Sequence, residues 1–282
     1  MINAYRADGS LETLSASPGQ ADDAQDFVWI DLLNPSAAED AFVEALLGIE
    51  VPTRDELKDI EPSSRLYTVG NAIFMTSSLV WRVESGEPAL TDVAFILAGD
   101  TLLTVRYAEP KAFHLFVTSL GRRSGDLDSG LAVLSRLLET IADRTAEVLE
   151  AAVAGLDELS REIFRNRGKR RPPQFLENRL ADIADQHRLV TKVRDSLGSL
   201  SRMLTFLRNL PALKQDRACA DLCRTVAHDV ETLSEHAAFI AGNISFLLDA
   251  SLGLINVEQN AIIKIFSIAS VIFLQPTRVA SI

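Results

Sequence analysis

The feature of this sequence that most restricts its fold is a long helical pattern near the C-terminus. From about Ala212 onward no strong helix breaker appears before Pro276. At roughly 1.5 Å per residue, such a helix is about 90 Å long, more than a single globular domain needs. A helix of this length must be covered by neighbouring helices or by copies of itself, so the pattern is best explained by a stalk in an oligomer.

The same helix changes from amphipathic to almost wholly apolar after about residue 260, as expected for a helix that leaves water and enters a membrane. Steps of three and four residues from Asp249 follow one face that carries mostly small and polar side chains. This face, the polar stripe, continues through Asn256, Asn260, Ile263, Ser270, Leu274, Thr277 and Ser281. It suits either a water-filled path or a close packing seam, since small residues also let helices approach each other.

Composition and motifs exclude several classes of function. The net charge of −11 argues against a nucleic-acid partner, because phosphate binding needs a basic surface. The sequence has no glycine-rich phosphate loop, nucleophile elbow or His-Glu-x-x-His motif, so we expect no enzyme. The N-terminus lacks a basic start followed by an apolar run, which predicts that the bulk of the chain lies in the cytoplasm.

Residues 1–125 predict a domain of mixed α+β (α/β) class. A buried strand is predicted at 27–33, and the helix that follows through Leu47 begins at an N-cap formed by Asn34 or Ser36. Thr53 and Glu56 predict the capping box of a short helix. Further strands are expected at 65–71, 72–81, 91–98 and 101–107, with Gly99-Asp100 as a hairpin turn.

The rest of the chain is predicted to be helical. Residues 126–211 predict antiparallel long helices packed on the first domain, broken by a basic cluster at 166–173. We then expect a stalk helix at 212–260 and a transmembrane helix at 261–282. Cys219 and Cys223 are interpreted as two thiols in a helix, because no second Cys or His pair with ligand spacing accompanies them.

The run from Phe246 to Leu274, with Asn-Val-Glu-Gln-Asn at 256–260 and Pro-Thr at 276–277, resembles the stalk and first transmembrane helix of the CorA family of magnesium channels. Residues 61–65 and 104–110 are similar to strand ends of the CorA cytoplasmic domain, where we interpret Arg65 and Arg106 as structural ion-pair or capping residues. Gln275 and Arg278 depart from the apolar family pattern. The sequence ends before the family's Gly-Met-Asn signature, so the second transmembrane helix is expected to lie outside it.

The resemblance implies a homopentameric channel in the cell inner membrane, in contact with lipid, that moves hydrated Mg²⁺, with Co²⁺ or Ni²⁺ as further expected ions. Asp249 and Asn260 match family positions at the cytoplasmic end of the pore, and the remaining residues of the polar stripe fall at pore-lining positions. Five copies would place five Asp249 carboxylates in a ring, the arrangement by which cation channels concentrate charge.

The family also senses Mg²⁺ through acidic pairs between neighbouring cytoplasmic domains. The resemblance implies that Asp229 on the stalk, with Glu84 or Glu87 near the sheet, takes this regulatory role. Two alternatives stay open at this stage: a zinc-transporting relative of the same fold, and a soluble helical scaffold or regulatory domain in which residues 261–282 pack against the helices of 130–210.

Overall fold

The structure is a computed structural model that describes residues 1–16, 27–58, 61, 65–120, 127–165 and 174–279. For residues 272–279 it describes the helical backbone alone.

The chain forms two compact units. The first contains Met1–Ala151 and Leu189–Ala238, and the second contains Ala152–Arg188 and Phe239–Ile282. Since these units group residues by packing, they do not test the predicted functional boundaries at 125, 211 and 260.

A seven-stranded mixed sheet forms the centre of the first unit. The strands are β1 (Ile2–Arg6), β2 (Leu11–Leu14), β3 (Phe27–Leu33), β4 (Leu66–Val69), β5 (Ala72–Trp81), β6 (Ala89–Ala98) and β7 (Thr101–Arg106). Their order across the sheet is β2-β1-β3-β7-β6-β5-β4. The β3–β7 pair is parallel and the other neighbours are antiparallel, so this pair joins an N-terminal three-stranded half to a four-stranded meander.

Most predicted elements of this domain are confirmed. Ser36, rather than Asn34, caps α1 (Ala37–Leu47), and Glu39 completes its capping box. Gly99 adopts a positive φ of 60° in the predicted β6–β7 hairpin. The helix expected after Thr53 is a single 3₁₀ turn, Glu56–Lys58, although Thr53 and Glu56 form the predicted capping hydrogen bonds. Strands β1 and β2 and helix α2 (Lys111–Leu120) were not predicted.

The two faces of the sheet carry different cores. On one face, Val43 of α1 packs in a cluster with Ile30, Phe74, Ile96 and Val105. On the other face, Trp29 contacts Phe113 and Phe116 of α2 through its ring. Ser77 of β5 also hydrogen-bonds Ser199 there, at 3.3 Å.

The long helices follow the sheet domain. They are α3 (Gly130–Arg165), α4 (Phe175–Asn209), the short α5 (Pro211–Gln215) and α6 (Arg217–Val279), which has 63 residues. The predicted basic break at 166–173 lies outside the described residues. The stalk helix begins at Arg217 rather than near Ala212. The backbone of Asp216 is extended, which ends α5 at Gln215. The Asp216 carboxylate then caps α6, because it accepts a hydrogen bond from the backbone N–H of Cys219 at 3.0 Å.

A buried ion pair links β3 and β7, the parallel strands of the sheet. Asp31 of β3 is 1% exposed and Arg106 of β7 is 8% exposed. Arg106 donates from Nη2 to Asp31 Oδ2 at 2.8 Å and from Nε to Oδ1 at 3.0 Å. Thr104 donates to Asp31 at 2.7 Å, and Trp29 Nε1 donates to Thr104 at 3.0 Å. Arg106 Nη1 also donates to the carbonyl oxygen of Ala108, just after β7, at 3.0 Å. The remaining partners belong to β3 or β7, so the network specifies which strands meet. The structural interpretation of Arg106 is confirmed.

We expect Arg106→Met to lower the free energy of unfolding by about 3–5 kcal/mol, because it leaves the Asp31 carboxylate buried without its partner. Chemical unfolding in detergent, followed by the fluorescence of Trp29 and Trp81, measures the effect. Arg161→Met is the matched control, since Arg161 and Glu158 form an exposed pair whose loss costs at most about 1 kcal/mol. Equal losses in the two variants would contradict a structural role of the buried pair.

Candidate functional site

One face of α6 is buried along much of its length, and this burial stops abruptly. The buried side chains recur at helical spacing and are Cys219, Cys223, Val226, Val230, Ala237, Ile240, Ile244, Leu247 and Ser251. From Leu252 to Val271, the last residue of α6 whose side chain is described, no side chain is buried. Among the described residues, the chain therefore buries one face of the first part of the helix. In the second part it half-buries Leu254, Ile255 and Ala269 and leaves the other side chains exposed.

The described members of the polar stripe lie on the uncovered side of α6. Asp249, Asn256, Asn260, Ile263 and Ser270 are all exposed. With roughly 100° of rotation per residue, they fall in one sector of the helix, opposite the sector that contains the buried residues 240–251. The helical backbone continues through Leu274 and Thr277, whose side chains are not described, and Ser281 lies outside the described residues.

Serine hydroxyls on this segment are satisfied within the helix. Ser267 donates to the carbonyl oxygen of Ile263 at 2.9 Å, and Ser270 donates to that of Phe266 at 2.8 Å. A hydroxyl bonded in this way enters an apolar environment without leaving an unsatisfied donor. Ser267 and Ser270 are therefore compatible with a membrane, and their hydroxyl oxygens can still accept hydrogen bonds from water or from a neighbouring helix.

Large apolar side chains surround the polar stripe. Between 52% and 70% of Ile262, Ile263, Ile265, Phe266, Ile268 and Val271 is exposed. In the described part of the chain, α6 is the one helix that is long and apolar enough to cross a membrane. An exposed apolar surface of this extent, interrupted by Lys264 and the serines of the same segment, requires lipid or other helices as cover.

The predicted sensing carboxylates near the sheet are ion-paired with the chain's own basic residues. Glu84 accepts from Lys111 Nζ at 3.0 Å and also pairs with Arg144. Glu87 pairs with Arg82 in the same turn. Burial alone would raise the pKa of Glu84, but the hydrogen bond from Lys111 and the charges of Arg144 and Lys111 hold that pKa below its ordinary value. Both carboxylates are thus already paired with basic groups of the same chain.

Asp229 is exposed on α6, in the first unit. Among the described residues, no three His, Cys, Asp or Glu side chains are grouped closely enough to hold a metal ion. A sensing site formed by Asp229 and Glu84 or Glu87 was predicted to lie between neighbouring subunits, so the single chain leaves this prediction untested.

Cys219 and Cys223 are free, buried thiols on α6. Burial and the neighbouring Asp216 raise the pKa of Cys219 to about 12, and burial raises the pKa of Cys223 as well. Cys223 Sγ lies 3.3 Å from Ser135 Oγ of α3. Both thiols therefore stay protonated at neutral pH and serve as packing residues.

Sequence reasoning missed the partners of the acidic residues. Lys111 and Arg144 belong to no sequence motif that would pair them with Glu84. Lys111 lies in the first turn of α2 and Arg144 near the middle of α3, so only folding brings them to Glu84. Asp31 did carry a signal, since a carboxylate within the apolar strand of residues 27–33 must find a buried partner.

Comparison with known proteins identifies relatives over nearly the whole chain. Residues 24–282 match the family model described as CorA-like Mg²⁺ transporter protein. The chain is 34% identical over 258 residues to the magnesium transport protein CorA of Pasteurella multocida, covering 90% of this chain and 78% of that protein. It is also 34% identical over 259 residues to the protein of the same name from Escherichia coli K12, again covering 90% of this chain and 78% of that protein.

Solved structures share the fold at lower identity. The complete CorA magnesium transporter of Methanocaldococcus jannaschii superimposes with a TM-score of 0.73 at 18% identity, covering 97% of this chain and 83% of that chain. The ZntB cytoplasmic domain of Vibrio parahaemolyticus gives a TM-score of 0.60 at 12% identity, covering 81% of this chain and 87% of that chain. The mixed sheet domain followed by long helices, predicted from the sequence, is thus a known architecture.

The lowered pKa of Glu84 predicts a pH-dependent contribution to stability. Because the folded pKa lies below the ordinary glutamate value of 4.5, the contribution is fully present above that value and is lost as the pH falls through the folded pKa. We expect Glu84→Gln to destabilise the protein at pH 7 and to approach wild-type stability under more acidic conditions. Thermal unfolding of both proteins across this range measures the difference.

Glu150→Gln is the control for that experiment, since Glu150 is an exposed glutamate of α3. Its difference from wild type should stay small at every pH. A Glu84→Gln difference that grows as the pH falls would contradict the assigned ion pairs.

Proposed function

The chain belongs to the CorA-like Mg²⁺ transporter family, and from this premise we propose that it is a subunit of a homopentameric channel for hydrated Mg²⁺. The channel lies in the cell inner membrane with its N-terminal domain in the cytoplasm. The observation that carries the proposal is the polar stripe of α6, which runs on from the end of the buried face into the apolar segment.

The chemistry of the stripe suits a hydrated divalent cation. Mg²⁺ prefers oxygen ligands and releases its water reluctantly, so a pathway needs carboxylate and amide oxygens that contact the water shell rather than a closed cage. Asp249, Asn256 and Asn260 provide such oxygens. In five copies around an axis they form successive rings, and the Asp249 ring concentrates negative charge at the cytoplasmic end. Ile263 and Leu274 form apolar constrictions, and Ser270, Thr277 and Ser281 add hydroxyls further along the path.

A pentamer also accounts for the uncovered part of α6. Beyond Ser251 the chain itself buries no side chain of this helix up to Val271. Packing against copies covers the sides that flank the polar stripe, and lipid covers the outer side of residues 261–282. In this arrangement residues 1–125 form the cytoplasmic domain, 126–211 the helices packed on it, 212–260 the stalk and 261–282 the first transmembrane helix.

Regulation by Mg²⁺ uses the acidic residues of the cytoplasmic domain. Asp229 of one subunit and Glu84 or Glu87 of its neighbour hold a bridging Mg²⁺, which competes with Lys111 and Arg144 for the Glu84 carboxylate.

Hydrated Co²⁺ and Ni²⁺ use the same contacts between the polar stripe and the water shell and are further transported ions. Zn²⁺ is the competing cargo that the transport experiment must exclude.

The assembly is tested with two cysteine variants of α6. Asn260→Cys places a thiol on the polar stripe, whereas Ile262→Cys places one about 200° round the helix. In a symmetric ring, oxidation should cross-link Asn260→Cys into dimers and leave Ile262→Cys largely monomeric on a denaturing gel. The native thiols do not interfere, since both are buried.

Light scattering of the unmodified protein in detergent is the companion measurement. We expect a mass five times that of the single chain, and we expect millimolar Mg²⁺ to increase the fraction of protein in this pentamer. A monomer indifferent to Mg²⁺, with no cross-linking of either variant, would contradict the channel and favour a helical scaffold.

Transport is tested in proteoliposomes with a negative interior potential and an enclosed Mg²⁺-sensitive dye. Asn256→Leu should reduce the Mg²⁺ flux roughly tenfold, because it removes amide contacts to the hydrated ion. Val257→Leu, one residue further along the helix, should leave the flux close to that of the wild type. Equal fluxes in both variants would contradict the assigned pathway, and a Zn²⁺ flux larger than the Mg²⁺ flux would overturn the assigned cargo.

A further inference from the structure

The first unit contains a small cavity of about 50 Å³ whose wall includes Glu84. The end of β5 and the turn after it, the start of α2, the middle of α3 and one residue of α4 form this wall. All of the lining residues that the structure describes belong to one compact unit. The cavity lies apart from the polar stripe of α6, but it adjoins the carboxylate to which we assign Mg²⁺ sensing.

A buried hydroxyl in the wall of the cavity points to a polar ligand. Ser196 of α4 is 1% exposed, and its Oγ has no hydrogen-bond partner among the described residues. Thr145 of α3 also lines the cavity, but its hydroxyl donates to the carbonyl oxygen of Ile141 at 2.8 Å. A buried hydroxyl without a hydrogen bond is unfavourable unless a ligand or water supplies one.

The helix α2 begins at the same cavity. Pro110, Lys111 and Ala112 lie in its wall, and the N–H of Phe113 donates to the carbonyl oxygen of Pro110 at 3.0 Å. The first N–H groups of a helix have no partner within the helix, and the helix dipole places partial positive charge there. A helix start of this kind favours an anion, and Ser196 supplies an independent donor from another element.

Glu84 acts as the internal anion of this site through one oxygen. Lys111 Nζ lies 3.0 Å from Glu84 Oε1, and Arg144 Nη2 pairs with the same oxygen. Arg144 Nη1 pairs with Glu147 at 2.8 Å. The Arg144 side chain is 16% exposed, whereas that of Glu84 is 53% exposed. The carboxylate can therefore turn toward solvent, while the guanidinium stays beside the cavity and requires another anion.

The size of the cavity and its remaining charges restrict the ligand. Arg82 is paired with Glu87, so it adds no net charge to the wall. Glu109 is exposed and adds one negative charge, which disfavours a polyvalent anion. A volume of about 50 Å³ excludes bulky organic anions. These limits leave small monovalent anions, of which chloride is the simplest.

We propose that the cavity binds a small monovalent anion when Glu84 leaves Lys111 and Arg144. The anion then accepts hydrogen bonds from these two cations, from the first N–H groups of α2 and from the Ser196 hydroxyl. The inference rests on the proposed regulation, in which Mg²⁺ takes the Glu84 carboxylate. Mg²⁺ and the anion bind cooperatively, because both stabilise the same released position of the Glu84 side chain.

The site is tested first without Mg²⁺, by thermal unfolding of the 282-residue chain in detergent. Glu84→Ala removes the internal anion, so sodium chloride should raise its melting temperature by about 2–4 °C relative to sodium isethionate at equal ionic strength. Glu147→Ala is the control, because it removes the other partner of Arg144 from outside the cavity wall. Equal chloride effects in the two variants would overturn the proposal.

Ser196→Ala separates a built site from a general attraction between chloride and two free cations. Alone, this variant should slightly raise the melting temperature, because it removes a buried hydroxyl that lacks a partner. Combined with Glu84→Ala, it should reduce the stabilisation by chloride at least by half. A chloride effect that Ser196→Ala leaves unchanged would overturn the proposed site.

The link to regulation is tested by calorimetric Mg²⁺ titration of the unmodified protein in the two salts. Mg²⁺ should bind roughly fivefold more tightly in chloride than in isethionate. Equal affinities would overturn the cooperativity. If Glu84→Ala still responded to chloride in that case, the failure would lie in the proposed Mg²⁺ role of Glu84 and not in the anion site.

Discussion

The structure depends on how the 63-residue helix α6 is covered. An isolated helix is marginal in water, and most helical stability in proteins comes from packing an apolar face. In the described part of the chain, that packing buries side chains of α6 only as far as Ser251, and none of the following twenty is buried. These twenty residues include both the most apolar segment and Asn256, Asn260 and Ser270. The same constraint is the basis of the proposal that a membrane covers one side of the helix and copies of the chain cover the other.

The sheet domain is held by a different kind of constraint. Its two halves meet at the parallel β3–β7 pair, where Asp31 and Arg106 are buried together. A buried ion pair is weak evidence for added stability, but a missing partner is costly, so the pair disfavours any alternative strand arrangement. Glu84 illustrates the opposite case at the surface. Its pairs with Lys111 and Arg144 are partly solvated, so another cation can compete for the carboxylate, as the proposed regulation by Mg²⁺ requires.

The proposed ion pathway suits a cation that keeps its water. In that pathway the polar stripe offers oxygens to the water shell of a small ion and does not enclose it, because Mg²⁺ releases its water reluctantly.

The sequence by itself determined the long helix, the polar stripe from Asp249 to Asn260, the Thr53–Glu56 capping pair and the β6–β7 hairpin, because each rests on local periodicity or on residues a few positions apart. It narrowed the cap of α1 to Asn34 or Ser36, and the structure selected Ser36. It also determined the family, through a nearly continuous match. It could not place strands β1 and β2, whose short apolar runs become strands only by pairing. Nor could it find the Asp31–Arg106 pair or the cations around Glu84. Those features join residues up to 75 positions apart, and only the tertiary structure decides which distant side chains share a buried space.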